Sequence, residues 1–142
     1  MKQLIVLLGL ILTLMSTPAY AANDEKQITC LAENSYHEAR GEPRLGKIAV
    51  MNVVMNRTRS KKFPTTPCGV IYQGCQFSWV CKGSRAIRSP GIYAEMKELA
   101  RGVYTGAIGD HTKGALFFHS TAIRPNWGRS RIAVIGNHIF YR

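Results

Sequence analysis

Residues 30–43 read Cys30-Leu31-Ala32-Glu33-Asn34-Ser35-Tyr36-His37-Glu38-Ala39-Arg40-Gly41-Glu42-Pro43. With Ile28 upstream, Leu31, Ala32, Ser35, Tyr36 and Ala39 recur at three- and four-residue steps, the spacing of an apolar helix stripe. Asn23-Asp24 supplies a start, and Gly41 with Pro43 a stop, so a first helix is expected from Asp24 to Arg40. Glu38 falls on the inward stripe at the last turn, where a carboxylate is partly desolvated.

Pro43 opens a second segment, Arg44 to Arg57, whose Leu45, Ile48, Ala49, Val50, Met51, Val53, Val54 and Met55 leave no continuous polar face. Such a helix belongs at the centre of a core. Thr58 to Gly74 carries Lys61-Lys62, Pro64 and Pro67 and reads as a surface loop with one helical turn near Val70 to Tyr72. Ser89-Pro90 caps and opens a third helix, whose stripe Ile92, Met96, Leu99, Ala100, Val103 stops at Gly106. Ala115 to His119, Arg131 to Ile135 and His138 to Tyr141 are short, β-branched or aromatic, and read as strands. Helices first and strands last place the chain in the α+β class: a helical body, a small C-terminal antiparallel sheet and a substrate groove between them.

The 142 residues, 46% apolar and 19% charged, suit one globular domain and exclude a disordered or repeat protein. Nineteen Lys and Arg against eight Asp and Glu give +11, which favours a polyanionic partner. Lys2, the apolar run Leu4 to Met15 and the small residues Ala19 and Ala21 read as a secretory signal over residues 1–21, leaving 22–142 as the mature domain. Export to the periplasm, the cell wall or the outside is expected. In that oxidising setting Cys30, Cys68, Cys75 and Cys81 imply two disulfides, of three possible pairings. The tight loop around Gln76 to Trp79 favours Cys75 with Cys81, which leaves Cys30 with Cys68. The cysteine spacings fit no zinc motif, and neither a metal nor another cofactor is expected.

Asp24 and Glu25 are assigned to the first turn of the first helix, and Glu95 and Glu98 to the polar side of the third. Glu38 stands apart: a carboxyl in an apolar setting keeps its proton near neutral pH and serves as a general acid, as glycoside cleavage requires. The plainer alternative is an ion pair with Arg40 or Arg44. Glu42 is expected to cap the second helix. His37-Glu38 fails the H-E-x-x-H metalloprotease pattern, because Gly41 stands where the second histidine belongs. Phe77, Trp79, Phe118 and Trp127 beside Gln76, Ser78, His119 and Asn126 mix flat apolar faces with polar groups, as sugar sites do. No basic run is interleaved with aromatics, so no nucleic-acid partner is expected.

The run from Cys30 to Pro43, followed by Gly46, Ile48-Ala49-Val50 and Asn56-Arg57, resembles the bacterial cell wall hydrolase family typified by the spore cortex-lytic enzymes. Phe63-Pro64, Cys68 to Tyr72, Gln76 to Trp79, Phe118-His119, Pro125 with Trp127, and Ile135-Gly136-Asn137-His138 with Phe140-Tyr141 continue the resemblance in order, from about Cys30 to Arg142. The resemblance implies a lysozyme-like fold and a peptidoglycan glycosidase. It implies cleavage between N-acetylmuramic acid and N-acetylglucosamine, commonly as a lytic transglycosylase leaving a 1,6-anhydro-muramoyl end, with Glu38 at the essential position. Gln76, Phe77, Ser78, Trp79, His119, Trp127 and His138 are the candidate substrate contacts. The expected partners are peptidoglycan and the anionic envelope, met by a monomer. A hydrolytic muramidase or glucosaminidase, with Glu42 or Asp110 positioning water, and a non-catalytic wall-binding module are the alternatives.

Overall fold

Helix α1 (Pro18–Ala39) presents Ile28, Leu31, Ala32, Tyr36 and Ala39 to the interior, the stripe its periodicity predicts. The computed structural model describes residues 18–83 and 85–142, so most of the expected signal, residues 1–17, lies outside the described residues. Among the described residues helix α1 already runs from Pro18, upstream of the expected Asp24, because Ala19, Ala21 and Ala22 are strong helix formers that carry it past the Asn23-Asp24 cap. Residues 19–23 are exposed, and a cut after Ala21 would leave the buried part of α1 intact. Asp24 and Glu25 therefore sit inside the helix and dock another one. The Tyr104 hydroxyl donates to Asp24 at 2.8 Å, and Lys97 and Arg101 reach the Glu25 carboxylate at 2.6 and 2.9 Å.

Helix α2 (Arg44–Thr58) is buried without a break from Gly46 to Met55. Its Ile48, Met51, Val54 and Met55 join the main core with α1, while Ala49 and Val53 face Ala115 and Phe140 in a second cluster beneath the sheet. Lys47 leaves this apolar surroundings through an ion pair of 2.9 Å with Glu95. The expected loop after α2 holds a full short helix, α3 (Pro67–Tyr72), because the Thr66 hydroxyl caps it by accepting from the Gly69 amide. A further helix, α4 (Ser78–Cys81), not expected from sequence, fills the Cys75–Cys81 loop. Helix α5 (Pro90–Thr105) buries Met96, Leu99, Ala100 and Val103 and ends at the left-handed Gly106.

Strands β1 (Phe117–Ser120), β2 (Arg131–Ile135) and β3 (His138–Tyr141) form an antiparallel sheet in the order β1-β3-β2. Strand β1 begins two residues after the expected Ala115, whose carbonyl is taken by the Asn56 side chain at 3.2 Å. The β2–β3 hairpin turns on Gly136-Asn137, with positive φ at Gly136 (56°). Glu42 grips that turn, accepting from the Asn137 amide at 2.8 Å and the Asn137 side chain at 3.2 Å. Glu42 thus ties the end of the helical body to the sheet, where a cap for α2 is expected from sequence; the N-cap of α2 is Pro43, without a side-chain bond.

Both expected disulfides are present, Cys30–Cys68 across 38 residues and Cys75–Cys81 across 6. Loop-closure entropy assigns them unequal weight. Replacing the Cys30–Cys68 pair by serines is expected to lower unfolding free energy by about 4 kcal/mol, and the Cys75–Cys81 pair by about 2 kcal/mol, measured by denaturant titration. A second prediction concerns the hairpin. Gly74 (φ 60°) and Gly136 (φ 56°) share the left-handed conformation, but a β-carbon at Gly74 meets open space and one at Gly136 overlaps the Glu42 carboxylate. Each alanine variant bears about 1–2 kcal/mol of backbone strain; Gly136→Ala is expected to be the more destabilised of the two.

Candidate active site

The last turn of α1 delivers Glu38 into a groove of about 420 Å³ between the helical body and the sheet. Arg57 enters from the end of α2, and Gln76 and Phe77 from the segment the Cys75–Cys81 bridge closes. The opposite wall is Phe118, His119 and Ser120 of β1 with His138 of β3, and Ile123 and Trp127 of the β1–β2 connection complete the rim.

Glu38 is half-buried and is the only acid among the described residues lining the groove. Burial pushes its carboxyl above the ordinary value of 4.5. Neither Arg40 nor Arg44 pairs with it; the Arg40 guanidinium lies instead over the Tyr36 ring, 5.6 Å from its centre. The other two acids considered for the site are engaged elsewhere. Glu42 holds the hairpin and lies 4.0 Å from His138 Nδ1, and Asp110 accepts from the Thr112 hydroxyl and the Thr112 and Gly114 amides, which keep it below the carboxylate range.

His119 is fixed on both ring nitrogens. Ser120 O, 2.7 Å from Nδ1, can only accept, so Nδ1 carries a proton, and the Tyr141 hydroxyl engages Nε2 at 2.8 Å. Trp127, 42% exposed, stands edge-on to His119 with 5.1 Å between ring centres and offers an open face. Burial lowers the His138 pKa below its ordinary value against the opposing pull of Glu42.

Of the sequence candidates, Glu38, Gln76, Phe77, His119, Trp127 and His138 meet around the groove; Ser78 and Trp79 do not. Trp79 is 5% exposed, stacks on His37 at 4.5 Å and donates its indole N–H to Asn34 at 2.9 Å, so its faces belong to the core and not to a sugar. Ser78 is an exposed residue opening α4. The sequence reading missed Arg57 as a site residue. Its Nε donates to Leu116 O at 2.8 Å, its guanidinium lies near the Phe63, Phe77 and Phe117 rings, and burial aided by Arg129 pushes its pKa down to about 10. The available signal was a cation, one of two with Lys47, in the buried part of a largely apolar helix. Among the described residues no three His, Cys, Asp or Glu side chains gather where they would hold a metal ion.

A helical body, a three-stranded antiparallel sheet and a groove with one desolvated carboxylate at the end of the leading helix define a lysozyme-like domain. The chain belongs to the cell wall hydrolase family, which it matches over residues 41–141. It is 38% identical over 132 residues to the spore cortex-lytic enzyme of Bacillus subtilis (strain 168), covering 86% of this chain and 41% of that protein. A spore cortex-lytic enzyme of Bacillus cereus is 36% identical over 126 residues, 85% of this chain and 45% of that one. The chain thus spans less than half the length of these relatives. Among solved structures, the catalytic domain of the Bacillus cereus SleB protein superposes with a TM-score of 0.71 at 32% identity, over 83% of this chain and 91% of that one. The catalytic domain of the germination-specific lytic transglycosylase SleB of Bacillus anthracis gives the same score and identity, over 89% of this chain and all of that one.

The raised Glu38 pKa fixes the sign of a stability effect. A carboxyl whose folded-state pKa exceeds its unfolded value costs stability once ionised, and the loss grows as pH rises from the ordinary value through the raised one. Glu38→Gln is therefore expected to unfold at a higher temperature than the wild type at neutral pH. The gain should shrink towards zero below pH 4.5, where both states of the wild type are protonated, and calorimetry across that range checks it.

Proposed function

We propose that this protein cleaves the glycan backbone of peptidoglycan between N-acetylmuramic acid and N-acetylglucosamine as a lytic transglycosylase. The observation that carries the reading is the lone groove carboxyl of Glu38, buried enough to be protonated more readily than an ordinary glutamate and free of any paired cation. Family membership and the named activities of the relatives support the substrate class.

Glu38 donates its proton to the glycosidic oxygen as the C1–O bond breaks and positive charge develops on the muramoyl ring. The departing N-acetylglucosamine leaves with that proton as its new hydroxyl. The Glu38 carboxylate then removes the proton of the muramoyl 6-hydroxyl while O6 closes on C1, which gives the 1,6-anhydro end and restores the acid. No water is consumed, so no second carboxylate is required. A hydrolytic route is disfavoured because Glu42 and Asp110, the candidate water-positioning acids, are held by Asn137 and by Thr112 and Gly114. Trp127 offers a stacking face for a sugar, and Gln76, His119 and His138 the polar contacts.

The proposed setting is the cell envelope: residues 1–21 direct export, residues 22–142 act as a monomer in the periplasm, wall or medium, and the two disulfides suit an oxidising compartment. The positive charge holds the protein to the anionic wall. Incubation with peptidoglycan and mass spectrometry of the released fragments is expected to give muramoyl products one water lighter than hydrolysis products. Glu38→Gln should lower their release by about a hundredfold to ten-thousandfold. Reducing ends would overturn the transglycosylase reading, an active Glu38→Gln would overturn the residue assignment, and wall binding without products would leave a binding module.

A further inference from the structure

The eight acids of the chain are distributed unevenly: none lies between Pro43 and Ala94 or between His111 and Arg142, the segments that supply every groove residue except Glu38. The four ion pairs among the described residues, Lys47–Glu95, Lys97–Glu25, Arg101–Glu25 and His138–Glu42, take up acids of α1, α5 and the hairpin latch. On the sheet side the cations are left without counter-charge.

Two of them gather at one place. A side cavity of about 320 Å³ opens beside the groove, shares His119 and Ile123 with it, and is lined by Arg124 and Arg131 together with Thr121 and Tyr141. Both arginines are exposed, and no side-chain hydrogen bond or ion pair occupies either guanidinium among the described residues. The guanidinium fork is shaped to take a carboxylate through two parallel N–H donors. His119 and Ile123 border both spaces, so a sugar held against Trp127 and His119 would lie beside the mouth of this cavity.

We propose that the Arg124–Arg131 cavity is a specificity pocket for a carboxylate carried on the lactyl arm of the muramoyl residue. This deepens the proposed function and rests on it for the identity of the glycan. Two sources share the chemistry: the free lactyl carboxylate of a strand stripped of peptide, and the carboxylates of an attached stem peptide. A cavity of this size accommodates the arm and one or two residues, not a whole stem.

Binding of soluble glycan strands to the Glu38→Gln protein tests this without turnover. Three strands are compared: peptide-bearing, peptide-stripped, and stripped with the lactyl carboxylates converted to methyl esters. The stripped acid or the peptide-bearing strand is expected to bind at least about tenfold tighter than the ester, as for a charge-assisted contact, and whichever of the two is tighter identifies the source. Adding Arg124→Gln with Arg131→Gln should remove the difference. Lys61→Gln with Lys62→Gln, an equal loss of charge on an exposed loop, should preserve it and so separate the pocket from general attraction. Affinity for the ester equal to that for both the stripped acid and the peptide-bearing strand overturns the pocket, as does loss of the preference in the lysine variant alone. Displacement of all strands alike by poly(glycerol phosphate), with no effect of esterification, would assign the cations to a phosphate polymer and also overturn it. A wild type that shows the preference but cuts no strand would retain the pocket and refute the proposed function.

Discussion

From Gly46 to Met55 helix α2 has no side left for water, and the rest of the molecule is arranged around that fact. One flank supplies Met51 and Val54 to the helical core, and the other supplies Ala49 and Val53 to the cluster under the sheet. Two layers that share a single buried helix cannot slide apart without exposing one of its faces, and each buried aliphatic side chain contributes roughly 1.5–3 kcal/mol. The groove is the seam between those layers. Its polar end is stitched by Asn56 and Arg57, which reach across from the last turns of α2 to the carbonyls of Ala115 and Leu116.

The seam also accounts for the chemistry. A carboxylate on an open helix face would be solvated and ionised, whereas Glu38 emerges where two hydrophobic layers meet and is partly stripped of water. The surrounding polar groups are engaged in ways that spare it: Glu42 in the hairpin, His119 between Ser120 and Tyr141, and Arg57 on Leu116 and three aromatic rings. The fold keeps one acid in the groove by giving Glu42 and Asp110 structural partners.

The helices that carry long apolar stripes were legible in sequence, because periodicity over a dozen or more residues reports which face is buried. So were the hairpin, from Gly136-Asn137 between two β-rich runs, and both disulfides. Of the short helices, α3 was read only as a turn near Val70 to Tyr72 and α4 not at all, since a helix of four to six residues shows no period and is held by a cap or a bridge. Trp79 illustrates a different limit. Beside Gln76 and Ser78 it has the composition of a sugar platform, yet its partners His37 and Asn34 lie some forty residues away in sequence, so only the folded chain reveals that its faces are covered. Glu42 was misread as a cap for the same reason, because its true partner at Asn137 is separated from it by 95 residues.

The sheet has one further property. Strand β3 lies in the middle although it follows both neighbours in the chain, and β1 and β2 pair with it and not with each other. Until β3 docks, neither neighbour has a backbone partner, while the helices can already pack through contacts of their own. The wall that bears His119 and His138 is therefore complete only when β3 has paired with both neighbours. A chain with its helices packed and β3 undocked would keep most of its hydrophobic core and yet lack one wall of the groove, so compactness alone does not make the cleft.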